Sequence, residues 1–172
     1  MTALTAVLLF GTWTLLLALF YALPRVPRVL MGSQKADAWT RGNAPVDPGI
    51  LVRAQHAHYN CLETFPVFAA VVIVGAMMDQ AAAIAGMAAW VVYLRVGQSV
   101  VHLIGTSFLL VLIRATLFIA QIALILAMVW QLLGWERGPK APPAAFGPTT
   151  ATSTQCAPPV RGGISPPAPN PL

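Results

Sequence analysis

Four stretches of the chain, near residues 3–23, 65–78, 81–94 and 108–133, are apolar with hardly a break, and short polar segments separate them. A segment crosses a bilayer as a helix when it offers about 20 mostly apolar residues, because lipid cannot satisfy exposed backbone N–H and C=O groups. The first and last stretches reach that length directly. The second does not, so its helix is predicted to run from about residue 49 to 78, with a polar first half. The third continues past residue 94 through YLRVGQSVVHLIG. Only 9% of the residues are charged and 58% are hydrophobic, against roughly 25% charged in an ordinary soluble domain. The expected fold is an all-α membrane protein, a bundle of four transmembrane helices.

That domain is expected to span residues 1–136. Beyond it, residues 137–172 contain GPKAPPAAFGPTTATSTQCAPPVRGGISPPAPNPL. A segment so rich in Pro, Gly, Ser and Thr buries too little apolar surface to offset its ordering entropy, and it is expected to be a disordered tail. The first apolar run has no basic leader, and Leu23-Pro24-Arg25 is not a small-residue cleavage site, so helix one is expected to be retained. Cys61 falls within a helix and Cys156 in the tail, so no disulfide is expected. The first loop carries Arg25, Arg28, Lys35 and Arg41, whereas the turns at Asp79-Gln80 and Gly105-Thr106-Ser107 carry no Lys or Arg. By the positive-inside rule this loop is cytoplasmic, although Arg137 and Lys140 act against that orientation. The expected location is a multi-pass position in a bacterial inner membrane, with the bilayer as partner and no nucleic acid.

The polar residues of the spans are patterned. Each residue of a helix turns the direction by about 100°, so from Arg53 the offsets are about −60° for His56, −20° for Asn60 and −80° for Glu63. These four form one stripe. His58 projects to the opposite side, toward a neighbouring helix or water, and stands about 160° from His56, so no metal site is expected. Helix three carries a second stripe of Arg95, Gln98, Ser99 and His102, and helix four carries Arg114, with Gln121 near the same face. Pro66 removes one helical hydrogen bond and predicts a kink just past Glu63.

Under the inferred topology all three stripes lie in the cytoplasmic leaflet. An arginine in mid-span costs a few kcal/mol on insertion scales, so Arg53, Arg95 and Arg114 must be paired, hydrated or near an interface. Their layer is net positive, with Glu63 its one acidic residue. It therefore suits a small ligand with carboxylates, held by arginine forks, and with an ammonium for Glu63. Plainer roles stand beside this. Asn60 and Glu63 would also serve as an interhelical pair, Arg53 and Arg95 as scaffold, and Arg114 as a structural partner of Glu63 of another chain or a snorkelling side chain.

The pattern R-A-x-x-A-x-x-N-x-x-E-x-x-P-x-F, here Arg53, Ala54, Ala57, Asn60, Glu63, Pro66 and Phe68, resembles the signature of the MAPEG family, the membrane-associated proteins in eicosanoid and glutathione metabolism. The resemblance runs on through the Arg95 and Arg114 segments and covers roughly residues 4–133. It implies a homotrimer of four-helix bundles, with glutathione as co-substrate between subunits in the cytoplasmic leaflet and small lipophilic electrophiles or hydroperoxides as second substrates. It further implies that Asn60 and Glu63 hold the peptide and amino ends of glutathione, with Arg53, His56, Arg95 and His102 in the surrounding network. Arg114 corresponds to the arginine that activates the thiol. Three positions depart from the family pattern: His56 stands where an arginine is frequent, and His102 and Phe118 stand where tyrosines occur. The opposing expectation, which these departures carry, is a non-catalytic subunit of this fold within a larger complex.

Overall fold

The computed structural model describes residues 1–35, 37–40 and 46–137. They form five helices: α1 (Ala3–Ala22), α2 (Arg25–Leu30), α3 (Gly49–Met77), α4 (Ala81–Ile104) and α5 (Phe108–Arg137). Four helical segments, with α1 and α2 counted together, are long and apolar enough to cross a membrane. The protein is an all-helical, multi-pass membrane protein. The second span begins at Gly49, as its apolar deficit requires, and continues through Pro66 as one helix. The proline-rich tail, Arg41, Lys140 and Cys156 lie outside the described residues.

Local chemistry explains the boundaries. Thr2 caps α1, its hydroxyl accepting from the N–H of Thr5 at 3.1 Å. The chain turns from α3 into α4 within Met78–Gln80, where Asp79 takes the left-handed region at φ 56°. Asp is one of the few side-chain-bearing residues that accept this conformation readily.

Each of the four long helices contributes a narrow inward stripe, mostly at spacings of three and four. The core is built from Ala3, Ala6, Phe10 and Leu17 of α1, Ala57, Cys61, Phe68 and Val72 of α3, Ile84, Ala88, Val91 and Val92 of α4, and Ile125, Met128 and Leu132 of α5. Ala3, Ala6, Ala57 and Ala88 put small residues among the larger ones of this core, as is usual where lipid removes the hydrophobic drive and close van der Waals packing takes over. At Gly75 a Cβ would lie 2.6 Å from the end of the Ile84 side chain, so any larger residue there requires Ile84 to shift.

α4 is the inner helix, packing on α1, α3 and α5, whereas α5 packs on α4 and barely meets α3. That uneven packing leaves an opening between α3 and α5.

The first loop holds a short helix of its own. α2 carries Arg25 and Arg28, and both reach across the loop to Asp47. Arg25 pairs with Oδ2 at 2.7 Å, Arg28 with Oδ1 at 2.7 Å, and the indole N–H of Trp39 donates to Oδ2 at 3.0 Å. The Arg25 guanidinium also lies over the rings of Tyr21 and Trp39 and donates to Gln55 of α3. One carboxylate thus ties α2, the loop and the start of α3 together. Asp47→Ala strands two arginines and an indole and is expected to cost about 2 kcal/mol. It should appear as a lowered midpoint of heat-induced aggregation in detergent; an unchanged midpoint would show that the clasp contributes nothing.

Candidate functional site

The inward face of α3 near its start is taken by Ala54, Ala57, His58, Cys61 and Thr64. His58 is spent on packing against α1, where its Nδ1 lies 3.0 Å from the Thr14 carbonyl. The face turned from this core presents Asn60, half-buried, and the exposed Glu63 to the opening left by α5. Across it α5 supplies Val111, Arg114, Ala115 and Phe118, and α4 supplies Gln98. Together these seven residues line a pocket of about 320 Å³, the lower end of the range for small-molecule sites. Adjoining it, Val67, Ile122, Ile125 and Leu126 continue the cleft as an apolar groove sharing Glu63 and Phe118 with the pocket. A partly polar cavity and an apolar groove therefore lie side by side.

Arg114 supplies the site's positive charge. Its Nε is buried and has no hydrogen-bond partner among the described residues, so a guanidinium with five N–H donors retains unused donor capacity at the pocket wall. None of Arg53, Arg95 and Arg114 is paired with a carboxylate among the described residues.

Behind the wall lies a buried polar chain. Arg95 is 1% exposed; its Nη1 donates to Gln98 Oε1 at 2.9 Å and its Nη2 to the Thr64 hydroxyl. The guanidinium also lies 5.4 Å from the centre of the Phe10 ring. Gln121 of α5 donates from Nε2 to the same Gln98 oxygen at 3.0 Å and to the Leu117 carbonyl. The hydroxyl of Ser99 donates to the Arg95 carbonyl.

The residues singled out from sequence thus separate. Asn60, Glu63 and Arg114 come together at one pocket. Arg95 stands behind the wall and reaches the pocket through Gln98. Arg53 lines no part of it; its Nε donates to the Leu103 carbonyl at 3.0 Å, tying α3 to the last turn of α4. His56, exposed, stacks on buried His102 with ring centres 6.2 Å apart, and both ring nitrogens of His102 lack partners. Gln98 was visible as a member of the α4 stripe but not distinguishable as its pocket-lining member. Val111 and Ala115 carry no polar signal, and only their places, one turn before Arg114 and immediately after it, mark them.

The sequence profile of the MAPEG family matches residues 2–134. The chain belongs to the MAPEG family. The match covers all four membrane-spanning segments and ends before the tail, so every residue of the pocket lies within the MAPEG region. MAPEG membership associates the chain with membrane proteins of the glutathione transferase and peroxidase type. No curated protein and no solved structure matches it.

Proposed function

We propose that this MAPEG protein binds glutathione in the Asn60–Glu63–Arg114 pocket and activates its thiol toward lipophilic electrophiles or hydroperoxides arriving through the bilayer. The observation carrying this reading is that an arginine with an unpartnered buried N–H lines the same pocket as an amide and a carboxylate, adjoining an apolar groove. Glu63 suits the ligand's ammonium, Asn60 its peptide groups, and Arg114 the sulfur. A guanidinium beside sulfur favours thiolate over thiol and lowers the thiol pKa from about 8.5. In conjugation the thiolate's electron pair forms the new carbon–sulfur bond, and the leaving group departs with its own pair.

The assembly proposed with it is a homotrimer in a bacterial inner membrane, with the pocket in the cytoplasmic leaflet. Glu63 and His56 are exposed on a membrane-spanning helix of the single chain, and ionisable groups at such depth face protein or a water-filled cavity. Neighbouring copies would cover them.

A second reading, a non-catalytic subunit with the same fold, has one observation in its favour: Phe118 puts a ring without donor or acceptor on the pocket wall. Mixing purified protein with glutathione in a stopped-flow spectrometer separates the two. The enzyme reading expects a thiolate absorbance near 240 nm, protection against heat by glutathione, and a light-scattering mass of three chains. Absence of both the thiolate signal and the protection would leave the subunit reading standing.

A further inference from the structure

Gln98 occupies an unusual position: it lines the pocket, yet is only 6% exposed and is held from behind by two donors. Arginine has donors only, so the amide atom of Gln98 that faces Arg95 Nη1 must be the oxygen. Gln121 agrees with this orientation. Its Nε2 donates both to that oxygen and to the Leu117 carbonyl, and the opposite orientation would set its own oxygen against two acceptors. The Gln121 oxygen is left buried without a partner, a cost borne while Gln98 is held. With its oxygen fixed by both donors, the Gln98 amide can turn only its NH2 group toward the pocket, where it has no partner among the described residues.

We infer that Gln98 is a ligand-binding residue of this pocket, its amide N–H donating to an anionic oxygen of the bound molecule, and that Arg95 is the positioning residue that aims it. The physical basis is polarisation along the hydrogen-bond chain. Arg95 is a fully buried cation without a carboxylate partner, and its donation into the Gln98 oxygen draws electron density from the amide and strengthens the N–H on the far side. A positive charge kept out of the pocket is thereby felt at its wall. With Arg114 left for the sulfur, the pocket gains a donor for a carboxylate without bringing a second arginine into it. Identifying the ligand as glutathione rests on the proposed function; the selection of an anionic oxygen does not.

The test uses the full chain in detergent, with binding followed by isothermal titration and by heat protection, first with glutathione and then with citrate as a thiol-free carboxylate probe. Gln98→Glu is nearly isosteric and satisfies Arg95 and Gln121 better than glutamine does, but turns a carboxylate oxygen toward the pocket. Affinity for the probe is expected to fall at least tenfold, with the heat midpoint unchanged or raised. Gln98→Met, which removes the donor without adding charge, is expected to lose affinity in the same sense and provides the reading should the glutamate variant fail to fold. If Gln98 only holds Arg95 in place, Gln98→Glu retains full affinity, and the inference is overturned with the glutathione reading intact. If citrate binds the wild type, glutathione does not, and Gln98→Glu loses citrate, the glutathione reading falls and this inference stands. If neither probe binds the wild type, both fall.

Discussion

Arg114→Ala is expected to lower glutathione-dependent turnover by about a hundredfold or more, the scale seen when a single donor to a developing negative charge is removed. The variant should still be protected from heat by glutathione, because Asn60, Glu63 and Gln98 remain at the pocket. The absorbance near 240 nm supplies the sharper measurement. In the wild type the thiolate signal should titrate with a midpoint well below the free thiol's value of about 8.5. In Arg114→Ala it should return to that value, because the group favouring the anionic form is gone. Arg114→Lys keeps the charge but not the planar fork, and an intermediate midpoint is expected. The plainer roles of Arg114 make different predictions. If it is a structural partner of Glu63, Arg114→Ala lowers the heat midpoint as well as turnover. If it is a snorkelling side chain, neither the midpoint of the titration nor the turnover moves.

The parts of this architecture legible in sequence share one physical origin: a bilayer demands length and apolarity, and both are local properties. The start of α3 at Gly49 followed from counting what Phe65–Met78 lacks, and the tight turn at Asp79 followed from the only polar break in a long apolar region. α2 was not legible in the same way. RVPRVL holds a proline and too few residues to nucleate a helix, and what fixes it is tertiary, the pairing of Arg25 and Arg28 with Asp47. The site was half legible for a related reason. Angular offsets give the residues that share a face of one helix, but which faces are covered depends on how the helices are arranged. α4 is the inner helix, so its stripe of Arg95, Ser99 and His102 is buried; α3 is left open toward α5, so Asn60 and Glu63 reach a pocket. From sequence, Arg95 and Arg114 were both intramembrane arginines on polar stripes. Only packing divides them into one that lines the cleft and one that acts from behind it.

That division makes Arg95 the place where stability and function should part. A buried arginine is costly to hold, and here it is held without a carboxylate, by Gln98, Thr64 and the face of Phe10 alone. Its Nε has no partner among the described residues. Volume-preserving hydrophobic replacements of buried ion pairs are frequently neutral or stabilising by about 1–4 kcal/mol, and an arginine buried without a carboxylate has less attraction still to offset its desolvation. Arg95→Met is therefore expected to leave the heat midpoint in detergent unchanged or to raise it. Glutathione affinity in the same variant should fall at least tenfold, because the Gln98 amide loses its main polarising donor. Arg95→Ala takes the opposite course for stability, since an unfilled cavity in the bundle costs about 2–5 kcal/mol. Comparing the two variants separates volume from charge: a methionine variant as unstable as the alanine one would show that the guanidinium itself holds the helices together. A methionine variant that is stable and still binds glutathione normally would remove Arg95 from the site. A stable variant that no longer binds would mean that the chain maintains a buried, uncompensated cation because the pocket needs its charge at one remove.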